Sequence, residues 1–403
     1  MGCEVVWLKL QNHLLKLKGR SSVYLFSLLN IQHIYLEISR MPLSPQFKRN
    51  ISRIIPFGLI WLFIGWFFTL SEALLPQTQE QQDATDIALN FPVFLFAAFS
   101  LTSLGLLVGT LETLVFQKRF QAYSFLRKIL FKFMIYLAVM VLAISITYPT
   151  AASIEANSSF FDAEVWNKTS AFLLSPRFFN ALLQLSFSLL LSLLYSAISE
   201  NLGHHVLLNF YTGKYHKPVV EERIFMFLDM KQSTTIAEGL GHEAYFKLLQ
   251  AYYEIMSDPI INSQGEVYQY IGDEVVITWS SKKGLMKNNC IECFREIKEN
   301  LSRNAASFQE KYGVVPDFKA AIHLGEVTTG EIGALKKEVI YTGDVLNTTA
   351  RVQALCNEKQ ADLLITEDLL KGLELPNELK QEFIGELPLK GKTQPVKLHK
   401  VYH

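Results

Sequence analysis

The sequence is short of cysteine and has no surplus of charge of either sign. Four cysteines occur among 403 residues, Cys3, Cys290, Cys293 and Cys356. That count gives no disulfide framework. Cys290 and Cys293 form a C-x-x-C, yet no second C-x-x-C exists to complete a zinc site. The pair lies in "MKNNCIECFREIKENL", a helical pattern, and reads as two helical residues on neighbouring faces. Lys plus Arg and Asp plus Glu each total 38, so the formal net charge is zero. Nucleic acid is therefore not an expected partner. Met1-Gly2-Cys3 hints at lipidation, but Val6 stands where the myristoylation pattern needs Ser or Thr.

What the chain has in plenty is apolar residues. Half of it is hydrophobic, and the mean hydropathy is +0.19. The excess lies before about residue 200, while charge, glycine and alternating patterns dominate after about residue 220. A membrane half and a soluble half follow.

A helix that spans a bilayer needs about 20 mostly apolar residues. Four segments qualify, about Ile54–Leu75, Phe91–Phe116, Ile129–Tyr148 and Phe178–Ile198. Lys132 falls near an end of the third, where it is expected to snorkel to the headgroups. Glu112, near the end of the second, is expected at the interface. Lys48, Arg49 and Arg53 precede the first span. The loop "PQTQEQQDATDIALN" has no Lys or Arg, the next connection carries Lys118, Arg119, Arg127 and Lys128, and the stretch from Pro149 to Arg177 reads as a long, slightly acidic loop. By the positive-inside rule, both the N-terminus and the C-terminal half face the cytoplasm. Residues 1–53 form a cytoplasmic lead. Its first part, to residue 47, is too interrupted to span and is a poor signal peptide; Met41 is an alternative start. A membrane-anchored protein of the plasma or inner membrane is expected, with lipid as one partner.

Residues 199–222, "ENLGHHVLLNFYTGKYHKPVVEER" with its flank, read as a linker that starts helical and breaks at Gly213 and Pro218. It is the covalent route from one half to the other. Beyond it, "RIFMFLDMKQSTT" gives a buried strand ending at Asp229, then a turn and the helical pattern "HEAYFKLLQAYYEIM". "VYQYIGDEVVITW" reads as a hairpin with Asp273 at its tip. A long helix is expected over about Leu285–Tyr312, then two strands around "HLGEV", a helix from "GDVLNTTAR", and late strands. The order β-α-β-β-α-β with additions is a ferredoxin-like α+β pattern.

Two acids on neighbouring strands, about 5 Å apart, repel unless a positive group lies between them. A hard divalent cation with oxygen ligands, together with a triphosphate, suits them. Ser233, Thr234 and the backbone after Asp229 can offer hydroxyl and N–H groups to phosphates. The bland alternatives are an aspartate bonding its own turn and glycines that only punctuate turns.

Five pieces, "FLDMKQST", "YIGDEVV", "IHLGEV", "GDVLNTTAR" and "LKGK", resemble in order and spacing the class III nucleotide cyclases with an integral-membrane N-terminal half. The likeness covers about Arg223–Tyr402, so the catalytic domain is expected over 223–403 and the four-span domain over 54–198. It implies that Asp229, Asp273 and the carbonyl of Met230 hold two Mg²⁺ or Mn²⁺ ions. It implies that Arg351 meets charge on the α-phosphate, that Asn347 orients the ribose, and that Lys390 holds the terminal phosphates. The implied reaction is attack of the ribose 3′-oxygen on the α-phosphorus with loss of pyrophosphate, in a homodimer whose sites draw on both copies. Adenylyl members carry Lys three residues before the hairpin glycine and Asp or Thr eleven before the arginine; guanylyl members carry Glu and Cys. Here those positions are Gln269 and Ile340, so neither set matches. ATP is the expected substrate, with GTP, guanylate or mixed specificity as the alternative. A degenerate cyclase-like receptor or scaffold without catalysis is the rival class. A four-helix transporter fits poorly, because the spans offer few polar residues to line a path.

Overall fold

The computed structural model describes residues 44–74, 85–88, 90–116, 119, 123–203, 206–207, 209, 212–376, 378–388 and 395–402. Lys390 and most of the N-terminal lead, including Met1, Cys3 and Met41, lie outside the described residues. The chain divides into two units near residue 204.

The first unit is helical. Its long helices are α1 (Pro45–Leu74), α2 (Phe91–Leu111), α3 (Phe125–Ala156) and α5 (Pro176–Leu202), with the shorter α4 (Ala163–Leu173) between the last two. Among the described residues, four stretches are long and apolar enough to cross a membrane, Pro45–Ser71, Phe91–Phe116, Leu126–Ala156 and Pro176–Asn201. The third runs past its expected end because Pro149 sits inside a continuing helix. The stretch expected as one long loop therefore holds the last turns of α3 and all of α4. Trp61, Tyr136, Met140 and Leu189 fill the interior of the bundle.

Glu112 and Lys132 depart from expectation. Neither reaches outward; both are buried, and they form an ion pair with each other. The Tyr136 hydroxyl donates to Glu112 Oε2 at 3.1 Å. Glu112 opens a π-helical turn, Glu112–Phe116, that ends α2. Burying a charge is costly unless it is paired, and each of these residues supplies the other's partner.

The second unit is a mixed sheet with helices. Its strands are β1 (Val219–Met230), β2 (Glu266–Ile271), β3 (Glu274–Ser280), β4 (Phe318–Ile332), β5 (Glu338–Thr342), β6 (Leu363–Thr366), β7 (Lys380–Leu387) and β8 (Val396–Tyr402). The spatial order is β2-β3-β1-β4-β6-β8-β7, with β5 paired to β4. The first four strands in that order reproduce the ferredoxin-like arrangement. β1 begins at Val219, inside the stretch read as linker.

Alternation along β1 decides the two faces. Ile224, Met226, Leu228 and Met230 point to one side, where α7 (His242–Asn262) and α8 (Asn289–Arg303) cover them with Leu248, Tyr252, Met256 and Ile297. Cys290 and Cys293 are buried free thiols in that layer, and burial pushes both up to about 12. Such thiols are inert. The single helix expected over Leu285–Tyr312 is broken: Lys287 and Asn288 take left-handed backbone angles, and α9 (Ala305–Tyr312) restarts after Asn304. On the other face Phe225 and Phe227 pack with Val276, Val327 and Val345, the last on α10 (Asp344–Ala354).

Candidate active site

Asp229 lies one residue from the end of β1, on the face of Phe225 and Phe227. Asp273 comes from the two-residue turn between β2 and β3, where Ile271 pairs with Glu274. Gly272 fills the first turn position with φ +65°, a region that a side chain makes costly. The Tyr253 hydroxyl donates to the Gly272 carbonyl at 2.6 Å and ties the tip to α7. β1 and β3 are paired neighbours, Leu228 opposite Val275, so the strand end and the hairpin tip meet.

The Asp273 carboxyl senses its Asp229 neighbour. Burial first, and then the Asp229 charge, raise the Asp273 carboxyl above the ordinary aspartate range, while the Ser233 hydroxyl pulls the other way. Asp273 Oδ2 is buried and has no hydrogen-bond partner. Burial, Asp229 and Asp273 raise Glu274 as well. Neighbouring carboxylates with a buried orphan oxygen fit a hard divalent cation. Among the described residues no cluster of three His, Cys, Asp or Glu side chains is placed to hold a metal. A cation here would complete its shell from backbone, water or a phosphate ligand. Met230 can contribute only backbone, since its side chain is buried in the helical layer.

Ser233 opens α6 (Ser233–Leu240), after Gln232 in a left-handed conformation. Ser233 thus stands beside Asp273, and Thr234 follows it, exposed. The structure adds a residue that sequence reasoning missed. Lys319, opposite Asp229 in the β1–β4 register, is nearly buried, with its ammonium 3.3 Å from Asp229 Oδ2. Its sequence signal is only a lysine near the start of an otherwise apolar strand, "FKAAIHL"; the β1–β4 register supplies its partner.

A second group lies on α10. Asn347 and Arg351 lie one turn apart on α10, Asn347 exposed and Arg351 half-buried. Among the described residues neither side chain makes a hydrogen bond or ion pair, and no such contact joins them to Asp229 or Asp273. α10 rides close on β4 because Gly343 has no side chain; a Cβ there would stand 2.8 Å from the Glu326 carbonyl oxygen. Gln269 lies on β2 just after a register shift, and Ile340 lies on β5 opposite Gly330. Their neighbours Tyr268 and Tyr341 touch edge to face at 4.9 Å, which brings β2 and β5 together beside α10. The structure therefore gathers Asp229, Asp273 and Ser233 at one place, and the Tyr268–Tyr341 contact links the strand that carries Gln269 to the one that carries Ile340.

Residues 216–402 match the family model described as the adenylate and guanylate cyclase catalytic domain. Among curated proteins, the chain is 39% identical over 197 residues to adenylate cyclase 2 of Rhizobium meliloti, covering 49% of this chain and 54% of that protein. It is 24% identical over 187 residues to adenylate cyclase 1 of the same organism, covering 45% and 27%. The chain thus spans about half or less of these relatives' length. Among solved structures, a bacterial light-regulated adenylyl cyclase aligns at 21% identity and TM-score 0.47, over 54% of this chain and 64% of that one. A guanylyl cyclase, Cya2, aligns at 19% identity and TM-score 0.39, over 45% and 92%.

Proposed function

We propose, from the premise that residues 216–402 are a class III adenylate and guanylate cyclase catalytic domain, that the chain is a membrane-anchored adenylate cyclase working as a homodimer. The observation that carries this is the pairing of Asp229 with Asp273, whose Oδ2 is buried and unpartnered. Asp229, Asp273 and the Met230 carbonyl would hold two Mg²⁺ or Mn²⁺ ions. Bound there, such ions lower the pKa of the attacking hydroxyl and neutralise the leaving group.

The chain's own residues do the rest. Ser233, Thr234 and the start of α6 present hydroxyl and N–H groups to the phosphates. Lys319, once a cation replaces it at Asp229, is a positive group free to meet phosphate oxygen. Asn347 holds the ribose so that its 3′-oxygen faces the α-phosphorus, and Arg351 balances the charge that grows there as pyrophosphate leaves. Lys390 holds the terminal phosphates. Within one chain Asn347 and Arg351 make no bond to the aspartates, which suits a site completed by a second copy. A twofold pair then carries two equivalent sites.

ATP is the preferred nucleotide, with GTP slower. Guanine presents a 2-amino group, an N1 proton and a 6-oxo group. Gln269 has one carboxamide to answer them, and Ile340 has no polar group. Each stranded buried polar group costs about 1–3 kcal/mol. The four apolar helices anchor the chain in the plasma or inner membrane, and the basic residues around Arg53 and Lys128 put the catalytic unit in the cytoplasm.

The full chain in vesicles, given ATP or GTP with Mg²⁺ or Mn²⁺, should form cyclic AMP and pyrophosphate, with kcat/KM for ATP about tenfold above that for GTP. Higher kcat/KM for GTP overturns the adenylate assignment. No cyclic product from either nucleotide overturns the enzyme and favours a nucleotide-binding scaffold.

A further inference from the structure

Arg223 is a guanidinium inside the sheet, 3% exposed at an interior position of β1. A valine or isoleucine would fill such a position without desolvating a charge. Instead, its donors are met on separate elements. Nε donates to Thr278 Oγ1 on β3 at 3.1 Å, Nη1 to Glu221 Oε1 on β1 at 3.3 Å, and Nη2 to Glu266 Oε2 at the start of β2 at 3.3 Å. The guanidinium also lies over the ring of Tyr341, 4.7 Å from its centroid. One side chain thus joins β1, β2, β3 and β5.

β5 needs that tie. Among the described residues it pairs only with the far end of β4, from Thr328 to Ile332, and no ladder there fixes it against β2. Its placement across the face rests on Tyr341, which packs edge-on against Phe225 at 5.5 Å and against Tyr268 at 4.9 Å. Tyr268 is the extra residue where the β2 register shifts between Val267 and Gln269, and such bulges re-aim the side chains beside them. Ile340 adjoins Tyr341, and Gln269 adjoins Tyr268. The Arg223–Tyr341–Tyr268 stack therefore links the strands that carry the two positions read above as facing the base.

The same stack reaches the segment that leads in from the apolar half. Glu221 Oε1 accepts from Thr329 Oγ1 at 2.8 Å and from the Tyr215 hydroxyl at 3.2 Å. Tyr215 is buried, although the residues flanking it are exposed. Its carbonyl accepts from the Glu331 N–H at 3.1 Å. Glu331 follows Gly330, the ladder partner of Ile340. Tyr215 is thus held from both sides, through Glu221 towards Arg223 and through β4 towards Ile340.

We propose that Arg223 is a positioning residue of the base pocket: through Tyr341 and Tyr268 it sets where Ile340 and Gln269 stand, and through Glu221 it couples that setting to Tyr215 in the linker. This rests on the reading that Gln269 and Ile340 face the purine. The coupling acts on which nucleotide fits and how tightly, and leaves the chemistry at Asp229 and Asp273 alone.

The test uses the full chain in vesicles, with kcat and KM measured for ATP and for GTP in the same metal. Arg223→Lys keeps the charge but loses the planar face and the fork. Tyr268→Leu removes the ring contact without touching the buried charge, so it remains informative if Arg223→Lys fails to fold. Tyr215→Phe removes only the hydroxyl. Arg223→Lys and Tyr268→Leu should each raise KM for ATP about threefold or more and shift the ATP:GTP ratio of kcat/KM by a similar factor, with kcat changed less than about twofold. Tyr215→Phe should move the ratio in the same direction by less. Variants that lower kcat while KM and the ratio stay fixed reveal ordinary structural residues and overturn the proposal. Gln269→Ala serves as the control: if it leaves KM and the ratio unchanged while wild type is active, the base-pocket reading fails, and the proposal fails with it. A wild type that makes no cyclic nucleotide instead sinks the enzyme reading itself.

Discussion

Asp273 keeps a buried carboxylate oxygen that meets no donor, beside a second carboxylate. Without a cation, two acids so placed disfavour the folded state, since burial and the Asp229 charge raise the cost of ionising Asp273. Asp273→Asn removes one charge and nearly preserves shape. The metal-free variant should therefore melt higher than metal-free wild type, should gain no Tm from millimolar Mg²⁺ or Mn²⁺, and should lose essentially all turnover. Thermal melts with and without metal check this apart from activity. A variant that melts lower and still responds to metal would remove Asp273 from the cation site. The aspartates themselves were legible in the sequence, because a strand end and a hairpin tip are local features. Lys319 was not. Its role depends on the β1–β4 register, which sets a residue 90 positions away opposite Asp229.

At the scale of elements, the end of β1 is held by a lattice of charge. Lys231 and Lys298 each pair with both Asp317 and Asp362. Burial pushes each carboxyl up, but the two lysines outweigh it, and both lie below the ordinary aspartate range. Folded values below unfolded ones contribute stability that is fully present above about pH 4 and is lost as pH falls through the lowered folded values. Lys298→Met should melt lower than wild type at pH 7 and lose less Tm between about pH 5 and pH 3. An acid limb as steep as that of wild type would show that the lattice contributes no pH-dependent stability. In the apolar half, the helices were legible from run length alone. Their ends were not, because Pro149 reads as a stop yet lies within α3. The pairing of Glu112 with Lys132 was hidden for a related reason. A charge near the end of a span reads equally as an interfacial residue, and only the packing of α2 on α3 turns these two inward. Removing one partner of a buried pair costs about 3–5 kcal/mol, whereas replacing both with apolar groups is often near neutral. Glu112→Leu or Lys132→Leu alone should lower the unfolding midpoint in detergent, and the double variant should recover most of the loss. Additive losses would mean that the two charges are not coupled.

At the scale of the whole molecule, the ferredoxin-like strand order was legible, because the order of strand and helix patterns along the chain implies it. How the candidate residues come together was legible only as what the family resemblance implies, sites shared between two copies. Asp229 and Asp273 meet at one end of β1 and β3, while Asn347 and Arg351 sit on α10 with no bond to them. Gly343 seats that helix directly on β4, so α10 has little room to slide towards the aspartates. If one copy supplies the carboxylates and another the asparagine and arginine, inactive variants should complement each other. Asp273→Ala and Arg351→Ala should each be nearly inactive alone. Coexpressed in the same membrane, they form heterodimers in which one composite site carries both defects and the other carries none. With random pairing, about half of the dimers are mixed and each has one intact site of two, so activity should return to roughly a quarter of the wild-type level. Tagging the two variants differently and purifying through both tags isolates the mixed dimer, which should show about half of wild-type turnover. A doubly purified heterodimer as inactive as its parents would place the whole site within one chain.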